Sequence, residues 1–205
     1  MIMFALAMGY LEAAVVVYLR TIFYPEGFAF PIRAIGPDLA FVELGREAAT
    51  IVMLLAVAFL AERTRRGRFA GFMLLFGLWD LAYYFFLRVT ISWPESLLTW
   101  DLLFLIPLIW TGPVLAPVLV SILMVVSASL YFARRGAAEA ARISGIEWAA
   151  VVVAAGIIFT SFVLNHFPVY RGAMPGRFAW EIFAAGMLVG VTVLVRFARR
   201  VISPA

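Results

Sequence analysis

Six apolar stretches, at about 3–23, 41–61, 69–91, 106–132, 146–166 and 178–197, recur along the chain. Each is long enough to cross the ~30 Å hydrocarbon core of a bilayer as a helix. A chain carrying them cannot fold as an ordinary soluble domain. Only 14% of its residues are charged, against roughly 25% in an average soluble domain. The mean hydropathy of +1.04 agrees. The expected fold class is all-α: a polytopic helical membrane bundle of about six transmembrane helices arranged as hairpins. The hairpins divide the chain at 1–68, 69–136 and 137–205. The first stretch has no Arg ahead of it and carries Glu12 in its apolar run, so it reads as a retained span and not a signal peptide.

The linkers alternate in character. Residues 62–68, Arg134-Arg135-Gly136 and 196–200 are Arg-rich, whereas about 24–40, 92–100 and 167–177 are rich in Pro, Gly and aromatics. The positive-inside rule then places both termini in the cytoplasm. Trp93, Trp100 and Trp180 fall at the expected outer interface, and Trp148 at the inner one. All 16 basic residues are Arg. With the Ala, Val and Gly usage this points to a GC-rich prokaryotic gene, hence to the inner membrane.

One region resists a simple helix. Leu102 to Phe132 carries no charge and is interrupted by Pro107, Pro113 and Pro117. As one helix it would be about 46 Å long. Two readings stand: a short interfacial or re-entrant piece near 95–110 followed by the span, or one long, kinked helix.

Rare residue types exclude whole chemistries. With no Cys there is no disulfide, thiolate metal site or iron–sulfur cluster. With no Lys there is no Schiff base and no Walker lysine. His166 is the single His, so multi-His metal sites and bis-His haem cannot form within the chain. Neither a serine-nucleophile elbow nor a His-Glu-x-x-His pattern occurs, and no catalytic residue can be named. No cofactor, metal or nucleic acid is expected. No linker is long enough for an ATPase domain, so active transport would be secondary or driven by a partner. The expected partners are the lipid bilayer and either further copies of the chain or a larger membrane complex.

Two windows match. Gly9, Glu12, Ala14, Tyr18, Leu19 and Arg20 align with Gly77, Asp80, Ala82, Phe86, Leu87 and Arg88. Tyr24-Pro25-Glu26 and Trp93-Pro94-Glu95 follow. Pro25 to Gly67 and Pro94 to Gly136 are each 42 residues. The pattern reads as a tandem parallel repeat of a two-helix unit. Gly156, Gly186 and Gly190 read as helix-packing positions.

The charges inside the spans are the functional lead. Glu12 and Asp80 lie near span centres, where a carboxylate costs on the order of 3 kcal/mol and usually marks function. They are candidates for binding a proton or cation, facing each other across the repeat axis. Arg20, Arg46 and Arg88 lie toward the outer half and would hold an anionic group. Glu43 and Glu47 share a face with Arg46 between them. Tyr83, Tyr84, Asp101, His166 and Glu181 are supporting residues at the same end. A carboxylate-rich metal site from Glu43, Glu47, Asp101 and His166 is the weaker alternative. The leading expectation is a binding or secondary transport protein with an outward-facing polar site. The alternatives are an accessory or assembly subunit of a membrane complex, and a lipid-processing enzyme using the outer carboxylates and His166.

Overall fold

The computed structural model describes residues 1–33 and 36–202. Ala34 and Ile35 in the first linker, and 203–205 at the end of the third hairpin, lie outside the described residues. The fold is mostly helical, and six of its helical segments are long and apolar enough to span a membrane. The long helices are α1 (Ile2–Phe23), α2 (Pro37–Ala61), α3 (Arg65–Ile91), α4 (Leu115–Ala133), α6 (Gly145–Val163) and α8 (Trp180–Ile202). Two short helices, α5 (Arg135–Ala140) and α7 (His166–Tyr170), lie in the connections.

Local signals set the helix ends. Pro37 opens α2 after an extended Gly36, where its missing N–H costs nothing. The Thr64 hydroxyl accepts the Gly67 N–H and caps α3. Ser144 and Glu147 form a capping box on α6. At its other end α3 stops at Ser92 in the left-handed region, φ 56°.

The Pro-interrupted region is not one long helix but a short non-helical piece followed by the span. β1 (Trp100–Phe104) and β2 (Trp110–Pro113) pair antiparallel, with Asp101 opposite Gly112 and Leu102 opposite Thr111. The bundle is therefore helical with one β-hairpin, and the fourth span begins near residue 115 instead of 106. The prolines explain this. Pro107 sits in the hairpin connection, Pro113 ends β2, and Pro117 is the third residue of α4, where no helical N–H partner is lost. A continuous helix would have needed all three in its interior.

The third helix is central: α1, α2 and α4 all pack on it, while α6 pairs with α8, α8 touches α4 and α6 touches β2. Consecutive α1 and α2 thus each lean on α3 more than on one another. Gly9 and Gly77 make the close approaches. A Cβ on Gly9 would stand 2.6 Å from Ala82 Cβ, and one on Gly77 2.7 Å from the Ser121 carbonyl oxygen. Gly186 is as tight against Ile158, and Gly190 faces Leu123 at 3.1 Å, but Gly156 has nothing within 4 Å and is no packing contact.

The Arg-rich segments meet at one end of the bundle. Arg135 pairs with buried Glu62 at 2.5 Å. Arg66 donates to the carbonyls of Glu139 and Ala141, closing α5. Arg200 pairs with Glu147 and donates to the Arg142 carbonyl. Hydroxyls of Tyr131 and Thr64 donate to Glu139 and hold its carboxyl below the usual range.

Candidate functional site

The opposite end encloses a cavity of about 780 Å³ between α1, α2, α3, the β-hairpin and α7. Its walls are mostly apolar, and the ionisable side chains are concentrated on facing helices. Four guanidinium groups (Arg20, Arg33, Arg46, Arg171) and five carboxyls (Glu12, Glu43, Glu47, Asp80, Asp101) line it.

The charges form distinct groups. Arg46 on α2 bonds both Glu12 on α1 and, at 2.8 Å, Glu43 one turn earlier. Two carboxylates on one guanidinium leave that cluster net negative. Arg20 on α1 bonds Asp101 on β1 at 3.0 Å, and the Tyr84 hydroxyl donates to the other Asp101 oxygen at 3.2 Å. The Arg20 guanidinium also stacks 3.7 Å above the Trp93 ring and 4.5 Å from Phe28. Asp101 is 1% exposed and Arg20 9%, so this is a desolvated pair that fastens the hairpin to α1.

The remaining two acids lack a cation. Glu47 accepts the Leu105 N–H at 2.9 Å, and Asp80 accepts the Ser121 hydroxyl at 2.8 Å. Neither makes an ion pair among the described residues. Each has one neutral donor, against the several hydrogen bonds a carboxylate can accept.

The structure brings together Glu12, Arg20, Glu43, Arg46, Glu47, Asp80, Tyr83, Tyr84, Asp101 and His166 around one cavity. Glu12 and Asp80 share the space, yet their bonds run to different partners, Arg46 and Ser121. Two candidates fall outside. Arg88 is exposed and donates to the carbonyls of Ser92 and Pro94. It ties the C-terminal end of α3 to the turn that follows, whose carbonyls accept from the guanidinium. Glu181 pairs with Arg177 on the surface. The metal alternative does not assemble: among the described residues no three potential ligands stand close enough to hold an ion. Instead Glu43 is on Arg46, Asp101 on Arg20 and Glu47 on a backbone N–H. His166 Nδ1 accepts the Ile109 N–H at 3.0 Å, so the neutral ring carries its proton on Nε2.

Sequence reading passes over Arg33 and Arg171, which sit in connections read only as Pro- and Gly-rich linkers. The Trp79-Asp80 pair stands out in the sequence, but nothing there attaches a role to Trp79. No protein-family model matches the chain, and comparisons with curated proteins and with solved structures find no match.

Proposed function

We propose that the protein is a small membrane binding or secondary transport protein. Its cavity takes a proton or cation at intramembrane carboxylates and an anionic group at the guanidiniums that line it. The observation that carries this reading is one cavity, walled in part by helices long and apolar enough to span a membrane, lined by five carboxyls and four guanidiniums, of which Asp80 and Glu47 make no ion pair among the described residues. Acids held at membrane depth are costly, and a purely structural role is better served by matched pairs like Arg20–Asp101. A bound proton or cation offsets the surplus negative charge on the Glu12–Arg46–Glu43 cluster. A scaffold or accessory role gives the cavity no purpose, and no base–nucleophile pair supports the lipid-processing alternative.

In this reading the Arg-rich end faces the cytoplasm of a prokaryotic inner membrane and the cavity opens outward. The tandem repeat belongs to the same reading. Its two glycines, Gly9 and Gly77, both sit at close helix crossings, which supports equivalent roles for the two windows.

A ligand that binds only the folded state raises its stability. The thermal unfolding midpoint of the purified protein should therefore depend on sodium concentration or on pH, and Glu12→Gln and Asp80→Asn should each flatten that dependence. Identical sodium and pH dependence in wild type and both variants would overturn the proposal.

A further inference from the structure

We infer that the anion this cavity takes is amphipathic: a carboxylate or phosphate headgroup carried on a hydrocarbon body. The inference rests on the functional reading above and specifies its ligand. Two residues of the lining each carry a buried N–H group with no hydrogen-bond partner among the described residues, Arg20 Nη1 and Trp79 Nε1. Trp79 is 5% exposed. Both are donors only, so neither can be satisfied by another donor. Leaving such groups unpaired in a buried setting is unfavourable, and a ligand that reaches them by a small adjustment of the side chains has to bring acceptor oxygens.

The charge pattern points the same way. Arg33 and Arg171 line the cavity from its exposed connections and make no ion pair among the described residues. They form a positive entrance above the acids on the helices. With a proton or cation on the Glu12–Glu43 pair and on Asp80, four guanidiniums face three carboxylates, leaving one positive charge for an anion to match. The rest of the wall is hydrocarbon and aromatic, with Phe23 and Leu44 among its residues. A small hydrated anion would leave that surface wet. An anion with an apolar body covers it, and burial of that body adds affinity in proportion to area.

The test uses the full chain in discs of zwitterionic lipid, with calorimetric titration of dodecyl phosphate and laurate. Inorganic phosphate, acetate and dodecyltrimethylammonium are the comparison probes. One or both anionic amphiphiles should bind saturably, and the other probes at least roughly tenfold more weakly. A preference for dodecyl phosphate identifies a phosphate headgroup, and a preference for laurate a fatty-acid-like ligand. Arg33→Ala, Arg171→Ala and Trp79→Phe should each weaken binding by roughly tenfold, as expected for loss of a charge-assisted or buried hydrogen bond. The two Arg positions are exposed and unpaired, so these variants retain the fold. The inference is overturned if inorganic phosphate or the ammonium amphiphile binds as well as the anionic amphiphiles. It also fails if all three variants bind like wild type. Its failure with the sodium or pH linkage of Glu12 and Asp80 intact removes the ligand class alone; loss of that linkage removes the functional reading beneath it.

Discussion

Arg20→Ala should cost about 3–5 kcal/mol of stability, because it strips the cation from a buried ion pair and leaves the anion behind. Asp101 is 1% exposed, and after the change only the Tyr84 hydroxyl remains on its carboxylate among the side chains. The substitution also removes the stacking of the guanidinium on Trp93 and Phe28, and with it the tie between α1 and the β-hairpin. Denaturant unfolding in a mild detergent reads the loss. The double variant Arg20→Met with Asp101→Leu should recover most of it, since replacing both members of a buried pair by apolar groups is often close to neutral. Arg177→Ala provides the contrast. It breaks an exposed pair with Glu181, whose side chains are 77% and 67% accessible, and should leave the midpoint unchanged. A loss from Arg20→Ala no larger than that from Arg177→Ala would mean that the pair does not hold the hairpin.

Gly77→Ala should be the second large effect, at about 1–3 kcal/mol for forcing a methyl group into a closed contact. The new Cβ would meet the Ser121 carbonyl oxygen at 2.7 Å and Val125 Cγ2 at 2.8 Å. Backbone cannot move aside as a flexible side chain can, so α3 and α4 must separate. The same contact region holds the Ser121 hydroxyl on Asp80, so the cavity is disturbed along with the packing. Gly156→Ala is the matched control. Nothing lies within 4 Å of its would-be Cβ, and alanine in a helix interior is favoured over glycine by about 0.5–1 kcal/mol. Equal unfolding midpoints for the two alanine variants would contradict the crossing of α3 and α4 described above.

The spans were readable because membrane crossing is a composition and length constraint, and both are local properties. Their ends were readable where a Pro, Ser or Thr acts on its own neighbours, as at Pro37, Thr64 and Ser144. The β-hairpin was not. Residues 102–113 carry no charge, so neither the helical nor the strand period has a polar face against which to show itself. What decides the matter is where three prolines leave room for N–H donors, and which backbone pairs with which.

The site was legible as a set of residue types and not as a set of partners. Glu43 and Arg46 are one helical turn apart, and their bond follows from spacing alone. Arg20 and Asp101 are 81 positions apart, and their pairing depends on how the hairpin folds over α1. Arg88 illustrates the opposite error. Its likeness to Arg20 in the aligned windows suggests a shared role, yet α3 ends three residues later, at Ile91, and the carbonyls of Ser92 and Pro94 just beyond it take the guanidinium. Equivalent sequence positions acquire different partners when one helix is followed by a hairpin and the other by an extended linker.

In the proposed orientation, water reaches the charged cavity from the face opposite the Arg-rich end. The chain has no cysteine, so a single introduced thiol is an unambiguous reporter. Val16 lines the cavity on α1 between Glu12 and Arg20. Val153 on α6 is exposed outside the cavity, and Gly136 marks the Arg-rich end. With a membrane-impermeant maleimide applied to right-side-out vesicles, Val16→Cys should be labelled. Gly136→Cys should be labelled only after permeabilisation, and Val153→Cys in neither condition. A Val16→Cys thiol as inert as that at position 153, or one reached from the same side as position 136, would contradict the account.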